Sequence, residues 1–177
     1  MKKRLFFLLL IVVLASCSNE KPKDPNTAVF IEENLKNFIA GNADWTVEPT
    51  QAEITEKFKH QVINWSNAQD FLKNMPLRLK AINDTLISGQ SYKIAVFESF
   101  DKSERPKESL LNDINLQLSG IIADHQAKTL KIGKNYTISG TLYKQGKRAD
   151  IKFIHAENSN TYDLGKYIFT INSFKEL

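Results

Sequence analysis

The chain has 177 residues, with 24 Lys and Arg against 20 Asp and Glu, a formal net charge of +4 and a sequence pI near 9.0. That length suits one domain with a proper hydrophobic core. A single cysteine, Cys17, excludes an intrachain disulfide framework and a multi-cysteine metal cluster.

The chain opens MKKRLFFLLLIVVLASCSNE. Lys2, Lys3 and Arg4 form a basic head, Leu5 to Leu14 is an unbroken apolar run, and the small residues Ala15 and Ser16 follow. This is the three-part layout of an export signal. Ten helical residues at about 1.5 Å each cover roughly 15 Å, half of the roughly 30 Å hydrocarbon core, so the run is too short for a permanent span.

Leu14, Ala15, Ser16 and Cys17 match position by position the lipobox of bacterial lipoproteins, and the stretch resembles that family's processing signal. The resemblance implies that residues 1–16 are removed and that Cys17 becomes the first mature residue, carrying two or three acyl chains such as palmitate. Each buried methylene adds about 0.8 kcal/mol, so two or more chains anchor a protein stably. The lipid bilayer is then the first expected partner. Because Ser18 is not Asp, the resemblance further implies sorting to the outer membrane, on its periplasmic or surface face.

Removing the signal changes the charge argument. Lys2, Lys3 and Arg4 leave with it and no acidic residue precedes Glu20, so 21 basic residues face 20 acidic ones in the mature chain. The body is close to neutral, which argues against nucleic acid and gives little support for anionic lipid as a partner. Residues 17–24 comprise the lipidated cysteine and a charged tether, and residues 25–177 form the expected single domain.

Helix one is expected from Asp24 as N-cap, with Pro25 in its first turn, Ala28, Ile31, Leu35 and Phe38 on one face, and Gly41 at its end. Thr50 and Glu53 form a capping box for helix two, whose stripe of Ile54, Phe58, Val62 and Trp65 continues through Ala68 to Leu72 before Pro76. The period then changes to two. Strands are expected at Leu77 to Ile82, Tyr92 to Phe100, Ile114 to Ile122, Thr129 to Ile132, Tyr136 to Leu142, Ile151 to His155 and Tyr167 to Ile171, with turns at Ser88–Gly89, Gln145–Gly146 and Asn158–Asn160. The fold class is therefore α+β: two N-terminal amphipathic helices packed on an antiparallel sheet or a small partly closed barrel of about six to seven strands, with Gly120 letting its strand bend.

Chemistry-bearing motifs are sparse. His60, His125 and His155 have no ligand spacing, so no metal and no cofactor is expected. Ser99 to Lys102 spells S-x-x-K, but the serine ends a predicted strand and the companion elements of penicillin-recognising enzymes are missing. Asp101 to Glu108, DKSERPKE, reads as a solvated loop. Asp84, Thr85 and Leu86 resemble the acceptor tripeptide for O-linked sugar of Bacteroidetes. Tyr136, Tyr143, Tyr162 and Tyr167 cluster in the last third as a candidate binding surface for protein or glycan. The function expected is a membrane-anchored, non-enzymatic envelope lipoprotein binding such a partner. A small envelope hydrolase without a recognisable motif and an assembly subunit are the alternatives.

Overall fold

A computed structural model of the chain describes residues 28–45, 51–99, 105–142, 150–156 and 159–177. The signal, the tether, the Asp24 and Thr50 caps, the Gln145–Gly146 turn and Tyr143 lie outside the described residues.

Helix α1 spans Phe30–Ala40 and buries Ile31, Leu35 and Phe38, the expected face. It starts later than Asp24, because Val29 is extended and the entering chain is pinned elsewhere. The Asn74 amide donates to the Ala28 carbonyl at 2.9 Å, and the Phe30 N–H donates to the Lys73 carbonyl at 3.3 Å. Helix α2 spans Gln51–Ser66 and buries Ile54, Phe58, Val62 and Trp65. It stops at Ser66 rather than reaching Leu72. The Ser66 hydroxyl and the Asn67 amide both donate to the Ile63 carbonyl, at 2.9 and 2.8 Å, and such side-chain bonds compete with helix propagation. Phe71 and Leu72 are still buried, carried inward by turns.

Six strands follow among the described residues: β1 Pro76–Ile87, β2 Gln90–Glu98, β3 Ile114–Ile122, β4 Asn135–Leu142, β5 Lys152–Ala156 and β6 Ser159–Glu176. A 3₁₀ turn at Leu110–Asp113 precedes β3, and the short helix α3, Asp124–Ala127, follows it. The segment from Thr129 to Ile132 is not a strand: the Thr129 and Leu130 N–H groups donate back to the Gln126 carbonyl and extend the α3 turn. Ser88 and Gly89 both take positive φ, as a primed two-residue hairpin turn requires. The loop before β3 is less solvated than its charge implies, since Arg105 is buried and donates to the Leu111 carbonyl.

The strand order is β3-β2-β1-β4-β6-β5, and β3 also pairs with β6. That last pairing is parallel, so the sheet is not wholly antiparallel as expected. Its cause is the length of β6, whose 18 residues run past several partners in turn. Asp163, Leu164 and Gly165 interrupt the alternation midway, and only the portion around Tyr167–Ile171 has a clean strand pattern.

One contiguous core joins the helices to the inner face of the sheet. Two glycines show how tightly β6 packs. A Cβ on Gly120 would lie 2.5 Å from Ile171 Cδ1, so this glycine makes room for β6 rather than simply allowing a bend. A Cβ on Gly140 would lie 2.5 Å from a ring carbon of Phe169 and 2.6 Å from the backbone oxygen of Thr170. Gly140→Ala should destabilise the fold by about 1–3 kcal/mol through overpacking, measured by urea unfolding; unchanged stability would show that β4 and β6 are not in this contact.

Candidate functional site

Three of the four tyrosines proposed as a surface point inward. Tyr136, Tyr162 and Tyr167 are all but fully buried, and each is held by rings from other elements. Tyr136 meets Phe97 and Phe174 edge-on at 6.3 and 5.8 Å and accepts from the Lys131 N–H at 2.9 Å. Tyr167 packs on Phe71 at 5.1 Å. Tyr162 stacks on Trp45 at 5.2 Å, touches Phe58 and Phe153, and donates to the Trp45 carbonyl at 3.0 Å. Their alternation with polar residues fits a half-buried strand, and the apolar half is the aromatic half. They are core, and they offer no stacking platform.

The other flagged residues are dispersed. His60, His125 and His155 are exposed on α2, α3 and β5, and among the described residues no group of three or more His, Cys, Asp or Glu is placed to hold a metal. Ser99 bonds the Leu116 backbone through both its hydroxyl and its N–H, which is a structural use.

Sequence reasoning missed the far end of the β1–β2 hairpin. β1 continues past Ile82 to Ile87, and the register pairs Ile82 with Ala95, Asp84 with Lys93 and Leu86 with Ser91. Cross-strand partners share a face. Ala95 is core, so this whole row lies on the inward side of the sheet. Beyond Ala95 the row overhangs the packed interior, and α3 stands opposite it. A groove of about 610 Å³ opens between them, lined by Ile82, Asp84, Ser91, Tyr92 and Lys93 on the hairpin and Asp124, Ala127 and Lys128 on the α3 side.

Lys93 donates to Asp84 Oδ1 at 2.6 Å. That hydrogen bond, then the charge of Asp84 and a smaller contribution from Asp124, holds the ammonium above the ordinary lysine range. Two carboxylates and two ammonium groups thus balance across the groove. At the hairpin end Leu86 is 74 % exposed and Ile87 43 %, a pair of ordered aliphatic side chains in solvent. Thr85 of the D-T-L tripeptide is half-buried on the opposite face of the hairpin from the Ile82–Asp84–Leu86 row, paired with Tyr92. The available signal was the Ser88–Gly89 turn, which implies two strands of similar length on either side.

Residues 1–18 match the prokaryotic membrane lipoprotein lipid attachment site. The chain therefore carries a bacterial lipoprotein lipobox and is a lipid-anchored membrane lipoprotein. No curated protein and no solved structure matches the chain. Among the described residues no helix is long and apolar enough to cross a membrane.

Burial raises the Tyr162 phenol above its ordinary value, and the Thr55 hydroxyl at 3.3 Å offsets this in part. A phenol whose folded pKa is raised contributes stability that is fully present below its unfolded value near 10 and is lost as pH rises beyond it. Stability of the purified protein should therefore fall above about pH 10. Tyr162→Phe should shrink that fall while costing about 1 kcal/mol at neutral pH through the lost bond to the Trp45 carbonyl, both read by denaturant titration. An identical alkaline limb in the variant would assign the loss to another group.

Proposed function

We propose that this lipoprotein is a non-enzymatic binding protein, acylated at Cys17 and sorted to the outer membrane, which presents the β1–β2 hairpin and the groove at its base to a protein partner. The observation that carries the reading is the separation of the two ends of β1. The described chain begins at Ala28, bonded to Asn74 just before β1, so the anchor is rooted at one end of this strand. The exposed Leu86 and Ile87 lie at the other. Twelve residues at about 3.3 Å each put them roughly 35–40 Å apart along the strand.

Ordered aliphatic side chains beside a charge-balanced groove suit a protein surface; Tyr92 is the single aromatic among the groove's lining residues, fewer than a sugar-stacking site calls for. The parallel β3–β6 pairing supports reading five strands, β1, β2, β3, β6 and β4, as a small partly closed barrel. In Greek-key barrels of the OB type the loop between the first two strands contributes to ligand binding. That is fold-level analogy, and it supports the location of the site rather than its ligand.

Two measurements test the reading. Cys17→Ala should leave an unprocessed precursor without lipid, seen by mass spectrometry of membrane and soluble fractions; normal maturation of the variant would refute acylation at this residue. A photo-reactive amino acid at position 86 should give a discrete adduct in cells, one that Lys93→Glu diminishes severalfold and that the same probe at the exposed Leu177 does not give. Equal labelling from both positions would remove the hairpin as the binding end.

A further inference from the structure

A second groove, of about 260 Å³, lies at the tether end of the molecule, between the turn around Lys73 and the β4–β6 pair. It has a different chemistry from the hairpin groove. The β4–β6 register sets Thr137 opposite Lys175 and Ser139 opposite Ser173, so a lysine and three hydroxyls share one face within a few ångströms of one another. Lys73 brings a second ammonium from the facing turn, and Asp70 is the one carboxylate among the lining residues. Neither Lys73 nor Lys175 is held in an ion pair with another described residue. Two cations with no ion-pair partner among the described residues and a row of hydroxyl donors suit a tetrahedral oxyanion, with lysine acting as a point charge and the hydroxyls supplying direction.

Its position says which oxyanion. Asn74, in the wall of the groove, donates to the carbonyl of Ala28, and Lys73 accepts from Phe30 through its backbone. The tether thus leaves from the groove's rim. Only ten residues, 18–27, separate Ala28 from Cys17, a reach of at most about 35 Å when fully extended. We propose that this groove docks on the phosphate of an anionic lipid headgroup in the same membrane that holds the anchor. The near-neutral charge of the mature body does not oppose this. A short tether makes the contact intramolecular, with an effective concentration in the millimolar range, so a weak local site is occupied without long-range attraction.

The test uses the mature lipidated protein in nanodiscs of phosphatidylethanolamine with phosphatidylglycerol, compared with phosphatidylcholine alone, and follows hydrogen exchange at residues 137–139 and 173–175. Exchange there should be roughly tenfold slower in the anionic discs, the size expected of one or two lysines at such a surface, and the difference should disappear at high salt. Lys73→Gln with Lys175→Gln should abolish it, while unchanged exchange in β2 and β3 reports that the variant is folded. Equal exchange in the two disc types would overturn the proposal, as would protection that survives in the double variant. Protection conferred in phosphatidylcholine discs by inorganic phosphate alone would assign the groove to a soluble phosphate and overturn the lipid.

Discussion

The packing of Tyr162 against the N-terminal helices is the contact on which the rest of the structure depends. Its ring stacks on Trp45 at an interplanar angle of 12° and meets Phe58 at 4.7 Å and Phe153 at 5.1 Å. Such pairs contribute about 0.5–1.5 kcal/mol each beyond the area they bury. The hydroxyl then donates to the Trp45 carbonyl, so the joint is directional as well as apolar. An amphipathic helix pair is marginal without something to cover. Here the cover is β6, and β6 is also the strand that pairs with β3, β4 and β5. One strand therefore couples the helices to nearly every part of the sheet.

That coupling gives the molecule two distinct ends. At one, the turn before β1 accepts the incoming chain through Lys73 and Asn74, and Glu32 of α1 accepts from the Ser109 hydroxyl and the Leu110 N–H, tying the helix to the 3₁₀ turn. At the other, β1 and β2 run on past the interior and expose Leu86 and Ile87. Because β1 is continuous between them, with one register irregularity near Lys80, the spacing of the ends is set by a strand and not by a loop. A site on a strand is held more closely than one on a connecting segment.

Much of this was legible in the sequence, and the failures share a cause. Both helix faces, the Ser88–Gly89 turn, β3 and β5 follow from local period and turn chemistry. Helix α2 stopped early because Ser66 and Asn67 bond backwards to Ile63, a competition that an apolar stripe running on to Leu72 conceals. The far half of β1 and both ends of β6 were missed because strand patterns are recognised by burial on one face. Asn83, Asp84 and Thr85 in β1 belong to a strand whose partner, not its own alternation, keeps it extended, and in β6 Asp163 and Lys166 pair with β3 on either side of an irregularity where Gly165 takes a positive φ. The tyrosines were misplaced for the converse reason: aromatic side chains serve cores and surfaces equally well, and only the long-range meeting with Trp45, Phe58 and Phe71 decides between them. The lipobox was legible outright, since its recognition is a contiguous four-residue matter. The grooves were not, because each is assembled from residues far apart in the chain.

Anchoring and neutrality fit together physically. A strongly cationic body tethered by a short segment to an anionic surface would be drawn against it over its whole flank, since each exposed lysine near the surface adds about 1 kcal/mol. The hairpin would then lie in the headgroups, where its aliphatic pair would be taken up by lipid. With 21 basic and 20 acidic residues the mature chain has almost no such pull, and the Asp84–Lys93 and Lys80–Glu98 pairs cancel charge locally along the hairpin. Orientation is then left to local placement of charge, and Lys73 and Lys175 lie at the tether end. A contact confined to that end stands β1 away from the bilayer and holds Leu86 and Ile87 out towards whatever approaches from the aqueous side.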